Sequence, residues 1–333
     1  MNANCCVRAC VVRLRPLLVF VALLQSATFA TARALGAQGD SIVVTLLGTG
    51  TPNPRFDRLG PSTLVEAGGK RLLFDVGRAT TVRLAQAGIR CGTVTDVFIT
   101  HYHSDHTNGL PDLWLTCWLP PLGGRGGPLR VWGPPGASDL VRGLQSAFAG
   151  DVKMRQRDEG LSERGIVLEA REFTKDTVVF DEGGVRVSAF TVDHGDYLKP
   201  AVGYRIDYRG RSVVISGDTR PTANIVRYAS NVDLLLHEVV VVAPGARATA
   251  SSAYVLAHHT SPTEAAKMFV QARPRLAVFT HIAQPPGPDG RGASADDVVG
   301  EVRRAYDGAV VLGEDLMRIL VRDTGVVARG NRR

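Results

Sequence analysis

The run His101-Tyr102-His103-Ser104-Asp105-His106 offers three imidazoles and a carboxylate within six positions. In an extended segment, side chains two apart leave on the same side, so His101 and His103 can aim at one point. Asp105 and His106 come from the turn that follows and can reach a second point nearby. Imidazole nitrogen and carboxylate oxygen are zinc ligands. Two cations about 3.5–4 Å apart can hold both sides of a displacement reaction. The segment feeding the run, Val94 to Thr100, is apolar and rich in β-formers. That places the cluster at the end of a buried strand rather than in a polar surface loop.

The chain has eight histidines, none of them in its first hundred residues. Each falls at the C-terminal end of an expected strand or in the loop after it, the edge along which open α/β sheets place their sites. His194 follows the strand Val185 to Val192, and His281 follows Leu276 to Thr280. Asp218 follows Val213 to Ser216 through Gly217, a residue that lets the backbone come close. Asp75 and Asp193 are candidates to fix the tautomers of ligand histidines.

The elements that must position these groups alternate between strand and helix with no linker-like break. Ser41 to Leu47 reads as a strand ending in Gly48-Thr49-Gly50. Thr63 to Ala67 and Arg71 to Asp75 flank a hairpin turn at Gly68-Gly69-Lys70, and Val202 to Tyr208 pairs with Ser212 to Ser216 around Arg209-Gly210. Thr80 to Gln86, Leu110 to Trp118 and Asp296 to Tyr306 read as helices. Ser261-Pro262-Thr263-Glu264 has the form of a capped helix start, with the helix running to about Ala272. Leu129 to Trp132, Val232 to Leu236, Val310 to Leu312 and Met317 to Val321 complete the strands. The pattern is a sheet-rich α/β layer architecture with helices outside.

H-x-H-x-D-H after a buried strand resembles the metallo-β-lactamase superfamily. Leu47-Gly48-Thr49-Gly50, Leu73-Phe74-Asp75-Val76-Gly77, Gly217-Asp218-Thr219, Leu236-His237-Glu238 and Phe279-Thr280-His281 are similar, in order, to motifs of its ribonuclease Z-like branch. That branch includes tRNA 3′-processing endonucleases, class II cyclic-nucleotide phosphodiesterases and an arylsulfatase-like group. The resemblance spans residues 41–320 and implies a four-layered αββα sandwich with a dinuclear metal site. By it, His101, His103 and His194 would bind the first metal, Asp105, His106 and His281 the second, and Asp218 would bridge them. The implied cofactors are two Zn²⁺, with Mn²⁺ as the alternative. His259 resembles the histidine that gives a proton to the leaving group, with His258 as the adjacent contender. Asp105, Glu238 and His259 are the candidate catalytic groups. Val239-Val240 departs from the family pattern after His237-Glu238, so His237 reads either as an orienting group or as a core histidine.

Two divalent metals lower the pKa of a shared water, and the hydroxide so formed is expected to attack phosphorus or sulfur. The stretch from Asp112 to Thr116 through Pro128 to Pro134 looks most like the arylsulfatase-like group, so phosphodiesters or aryl sulfates are the expected substrates. Cyclic-nucleotide hydrolysis, tRNA 3′ cleavage and lactonase or β-lactamase chemistry are the alternatives, and a non-enzymatic metal-binding role is a further one. Bacterial tRNA-processing relatives carry a long arm between the positions matching His194 and Asp218. Here only a hairpin fits there, which argues against tRNA. Tyr102, Trp114, Trp118 and the loop Gln284 to Gly292 are candidates to shape a pocket, although Trp114 and Trp118 at helical spacing read equally as core.

Arg8, Arg13 and Arg15 precede the apolar run Leu17 to Leu24, and small residues follow. This is the layout of a secretory signal peptide over residues 1–37, with cleavage near 30–37. Residues 38–325 then form the hydrolase domain and 326–333 a basic, fraying tail. A periplasmic or secreted location follows, with no stable membrane insertion after cleavage. Cys91 and Cys117 could pair in such a compartment, but nothing in the sequence brings their Cα atoms within bridging distance, and they read as free thiols. The composition, 44% hydrophobic and 21% charged, excludes a disordered chain. The net charge of +7 hints at an acidic partner. Arg8, Arg13 and Arg15 of the leader and Arg329, Arg332 and Arg333 of the tail account for six of those charges, however, so the folded body is close to neutral. The expected partner is therefore a small anionic ester and not a nucleic acid, with a homodimer left open.

Overall fold

The computed structural model describes residues 40–242, 250–286 and 292–330. The expected signal peptide and its cleavage site lie outside the described residues. The strands begin with β1 (Ile42–Gly48), β2 (Ser62–Ala67), β3 (Lys70–Phe74), β4 (Asp96–Phe98), β5 (Leu129–Gly133) and β6 (Leu168–Glu172). Next come β7 (Thr177–Glu182), β8 (Val185–Thr191), β9 (Val202–Tyr208), β10 (Arg211–Ile215) and β11 (Leu234–Val240). The last four are β12 (Leu276–Ala283), β13 (Val310–Leu312), β14 (Arg318–Arg322) and β15 (Gly325–Arg329). They form an eight-stranded sheet, β15-β14-β1-β2-β3-β4-β5-β6, and a seven-stranded one, β13-β12-β11-β10-β9-β8-β7. Parallel pairing runs from β3 to β6 and from β10 to β13, and among these β4, β10 and β12 lead into or carry candidate site residues.

The sheets face each other across one apolar layer. Val44, Leu46, Phe74 and Phe98 of the first sheet meet Val187, Tyr204, Ile206, Val213 and Val278 of the second. Phe74 stacks on Phe98 at 4.9 Å, and Phe98 meets Tyr204 edge-on at 5.6 Å, geometries that aromatic quadrupoles favour. The Tyr204 hydroxyl donates to the Ile99 carbonyl at 2.6 Å, tying the second sheet to the first just before His101.

Helices cover both outer faces. On the first sheet lie α1 (Thr80–Gln86), the single turn α2 (Ser104–Thr107), α3 (Leu110–Thr116), α4 (Ala137–Ala147) and α5 (Ala149–Asp158). Leu84, Leu113, Trp114 and Val141 pack there on Leu64, Leu73, Val97 and Val131. On the second lie α6 (Ala223–Tyr228), α7 (Ala250–Leu256), α8 (Pro262–Ala272) and α9 (Ala295–Arg303). Ile225, Ala265, Phe269 and Val298 bury against Val214, Leu235, Ala277 and Phe279. This is the αββα sandwich that the motifs implied. Ser261 and Glu264 cap α8 reciprocally, as the sequence indicated. Among the described residues, no helix is long and apolar enough to cross a membrane.

Three expectations need correction, and one reading left open, that of Trp114 and Trp118, is settled. Residues read as a fraying tail form β15 as far as Arg329, because Val326 and Ala328 continue the alternation that pairs with β14. Cys91 and Cys117 are disulfide-bonded, with Cα atoms 5.3 Å apart, since the turn Cys91–Thr93 docks against the end of α3. Trp114 and Trp118 are core: their indole N–H groups donate to Ile166 O and Ser162 O at 2.8 and 2.9 Å. Tyr102 also serves packing, covering Gly136 and bonding Pro134 O.

Candidate metal centre

Seven donor residues converge at one edge of the sandwich, four from the loop after β4 in the first sheet and three from the second. The β4 loop starts extended at His101 and His103, then turns into α2, which carries Asp105 and His106. His194 follows β8. Asp218 follows β10 through Gly217, whose φ of 62° lies in the left-handed region. A Cβ on Gly217 would stand 2.7 Å from Val202 O and 3.0 Å from Thr100, so only glycine permits this approach. His281 is the extra residue of a bulge: Glu238 pairs with Thr280, and Val239 with Ile282. The bulge and the His281 φ of 42° turn its ring out of the strand and into the site.

The donor atoms fall into two groups sharing one carboxylate. His103 Nδ1 lies 3.1 Å from His101 Nε2 and 3.3 Å from His194 Nε2, and these last two lie 3.9 and 3.6 Å from Asp218 Oδ2. Asp105 Oδ2 lies 3.3 Å from His281 Nε2 and 3.6 Å from His106 Nε2, which stand 3.3 and 3.4 Å from the same Asp218 oxygen. Donors arranged tetrahedrally at zinc–nitrogen distances of about 2.0–2.1 Å are about 3.3–3.4 Å apart. The second group, at 3.3 to 3.6 Å, is close to that spacing, and the first, at 3.1 to 3.9 Å, scatters around it. The chemistry of the donors agrees. His106 Nε2 and Asp218 Oδ1 are buried without a hydrogen-bond partner, and buried polar atoms are rarely left so.

The outer ring nitrogens are occupied, which turns the inner ones toward the shared carboxylate. Asp75 Oδ2 accepts from His106 Nδ1 at 2.8 Å and from Thr100 Oγ1 at 2.9 Å, and Thr100 Oγ1 lies 3.0 Å from His101 Nδ1. A proton on each Nδ1 satisfies this chain, so one carboxylate sets the tautomer of two imidazoles. His194 Nδ1 donates to His258 O at 2.9 Å. Burial, with His106 beside it, holds His101 well below the usual histidine range, and burial takes His194 down to about 4. Both are neutral lone-pair donors at pH 7. Burial opposes charge on Asp218 too, but His281 and His106 outweigh it and keep the carboxylate ionised.

Glu238 and His259 stand beside this cluster. Glu238 is buried, its Oε1 accepting from Thr260 N at 2.8 Å and its Oε2 3.2 Å from His259 Nδ1. Burial works against charge on His259, yet the Glu238 carboxylate prevails and pushes its pKa up to about 9. The His259 ring lies 5.0 Å from His194 and stacks at 5.5 Å on His281. His237, next to Glu238 on β11, points to the other face, as alternation requires. It bonds its neighbour's carbonyl and packs on Phe269, so it is a core histidine. Asp193 does not reach the donors and pairs instead with Arg220 at 2.7 Å. His258 serves through its carbonyl, while its ring lines the cavity.

The cluster floors a cavity of about 220 Å³ whose walls include Thr51, Asn53, Leu198, Tyr254 and Gln284. Little in the sequence pointed to the group that holds one wall. Asp315, buried, accepts from Thr49 N and Oγ1, Leu59 N and Arg83 Nη2, all within 2.7 to 2.9 Å. It fastens both ends of the loop from Gly50 to Arg58. Its partners lie up to 266 positions away in the chain, beyond the reach of local pattern.

Residues 71–282 match the family model for the beta-lactamase superfamily domain. Ribonuclease Z of Mycobacterium sp. (strain KMS) is 35% identical over 285 residues, covering 84% of this chain and 96% of that protein. Human tRNase Z, short form, superposes with a TM-score of 0.62 at 25% identity, over 83% of this chain and 98% of that one. The metallo-beta-lactamase fold protein YhfI from Bacillus subtilis gives a TM-score of 0.65 at 18% identity, over 84% and 100% of the two chains. The chain belongs to the metallo-β-lactamase superfamily. Within it, the chain is a homologue of the ribonuclease Z proteins.

This relationship corrects the expected absence of a nucleic-acid partner, since relatives matched along nearly their whole length are named ribonucleases. The argument from the missing arm fails with it. An alignment of 285 positions that takes in 84% of this chain leaves no room in the mycobacterial relative for an inserted arm of tens of residues.

Proposed function

We propose that this protein is a metal-dependent phosphodiesterase acting on RNA, in the manner its ribonuclease Z relatives' name describes. The observation that carries the reading is the Asp218 carboxylate, one oxygen of which lies within 3.3 to 3.9 Å of four imidazole nitrogens from two donor groups. His101, His103 and His194 would hold one cation, Asp105, His106 and His281 a second, and Asp218 both. When bound, the cations would supply Lewis acidity and would lower the pKa of a water towards neutrality. Nitrogen-rich donor sets favour zinc over magnesium.

The remaining work falls to the chain. The Asp75–Thr100 pair orients His101 and His106 by holding their outer nitrogens. His259, kept protonated by Glu238, donates a proton to the departing oxygen, and Glu238 afterwards stabilises the recharged imidazolium. The cavity walls hold the ester over the donors.

The test is a panel on zinc- or manganese-loaded protein: an RNA with an unpaired 3′ extension, bis-(p-nitrophenyl) phosphate, 3′,5′-cyclic AMP and p-nitrophenyl sulfate. Cleavage of the RNA and the aryl phosphodiester is expected. Turnover of the sulfate alone would overturn the reading in favour of an arylsulfatase. We also propose that the chain is exported. The leader-like composition of residues 1–37 supports this, as does the Cys91–Cys117 bond, which persists in oxidising compartments. An exported enzyme would meet RNA reaching that compartment rather than cytoplasmic precursors. Fractionation of cells expressing the full chain tests it, and a purely cytoplasmic, uncleaved product would refute it.

A further inference from the structure

Among the described residues, three aromatic side chains are largely exposed: Phe56 at 101%, Tyr197 at 99% and Tyr254 at 64% relative accessibility. All three belong to segments that wall the metal cavity. Phe56 sits at the tip of the loop whose Thr51, Pro52 and Asn53 line it. Tyr197 precedes the lining residue Leu198, and Tyr254 lines the cavity itself. The other exposed large apolar side chains are aliphatic and lie on other segments. Single exposed hydrophobics need no explanation, but exposed rings confined to the segments around one opening do.

Two of the rings stand on defined bases. Tyr254 and His258 are four apart, and their rings meet at 4.4 Å with a 43° tilt, giving a two-ring platform on the cavity wall. The His258 ring rests against Gly195, one residue after His194. Phe56 projects from a loop whose two ends Asp315 fastens, so the ring is presented on an anchored base. The charges nearby are largely neutralised: Arg55 is paired with Asp57, and Arg220 with Asp193 and Asp196. A partner recognised here is held by faces of rings more than by net charge.

We propose that Phe56, Tyr197 and Tyr254 form a rim that stacks the unpaired nucleobases of a single RNA strand as it enters the metal cavity. The proposal rests on the RNA phosphodiesterase reading and names its substrate class as unpaired RNA. Every base presents a stackable face, so such a rim is tolerant of sequence but not of pairing. A paired helix hides those faces and is recognised through backbone and shape instead.

The experiment uses the metal-loaded full chain and a fluorescein-labelled unpaired RNA of about ten nucleotides, within the usual span of single-strand sites. Binding is read by anisotropy and cleavage of the same RNA on a gel. Phe56→Leu and Tyr197→Ala are each expected to weaken binding about tenfold. Phe56→Trp and Tyr197→Phe should retain it, because they keep the ring. A role in general packing would not separate leucine from tryptophan at Phe56, and full exposure means that neither change touches the core. The same RNA annealed to its complement should bind about tenfold more weakly. Ring-dependent binding without cleavage would sustain the rim and overturn the proposed reaction. Cleavage with less than about a twofold effect of the ring-removing variants would do the reverse, as would equal binding of paired and unpaired RNA.

Discussion

Glu238 Oε2 lies 3.2 Å from His259 Nδ1, while the other oxygen of that carboxylate holds the backbone N–H of Thr260. The buried acid thus fixes both the place and the charge of the histidine. A proton donor works in its protonated form, so activity should fall as pH rises through the His259 pKa. Glu238→Gln removes the negative partner that raises that pKa to about 9. The alkaline limb of the kcat profile should then move down by about one to two pH units. A limb that stays in place would remove this pair from the proton-transfer step.

Asp75 acts on the cations only through His106 and Thr100. Asp75→Ala frees the outer nitrogen of His106 and releases the Thr100 hydroxyl that faces His101, so both rings can choose other tautomers. Zinc affinity, measured by competition with a chromogenic chelator, is expected to fall about 10- to 100-fold. An unchanged affinity would show that packing alone orients the rings.

The donors come from both sheets, so cations bound there join the sheets at one edge. Unfolding scatters the donors, and binding to the native state alone adds about 2.7 kcal/mol when the free metal is 100 times its Kd. Thermal melts should therefore rise with added zinc and fall with chelator. Magnesium, which prefers oxygen donors, should have much less effect.

The Cys91–Cys117 bond closes a loop of 26 residues between a short turn and α3. The chain-entropy model assigns such a cross-link about 3 kcal/mol of stability. Denaturant unfolding with and without reductant should differ by roughly that amount, while the folded protein keeps its hydrolytic activity. Identical curves would mean that the thiols are not bonded in solution.

Much of the site was legible because its donors sit where apolar runs end. The strand 94–100 running into His101, and Gly217 before Asp218, gave position and direction from local pattern alone. The capped start of α8 was equally plain, since Ser261, Pro262 and Glu264 each have a distinct role at a helix N-terminus. Other features were hidden for physical reasons. The strand β7 is an edge with exposed Thr177 and Val178, so burial leaves no clear mark on it. The helix α4 opens from Gly136 in a left-handed conformation, without a side-chain cap to announce it. The disulfide and the Asp315 contacts join segments far apart in the chain, which pattern cannot bring together. Net charge gave no sign of the nucleic-acid partner that the names of the ribonuclease Z relatives point to.

The Asp315 fastening separates the part of the enzyme that must stay fixed from the part that is free to vary. With Thr49 and Leu59 secured beneath, the exposed tip from Pro52 to Asp57 can be exchanged for another sequence without disturbing a single metal donor. One short loop is thereby uncoupled from the reaction centre, so its sequence can change while the candidate metal ligands keep their places.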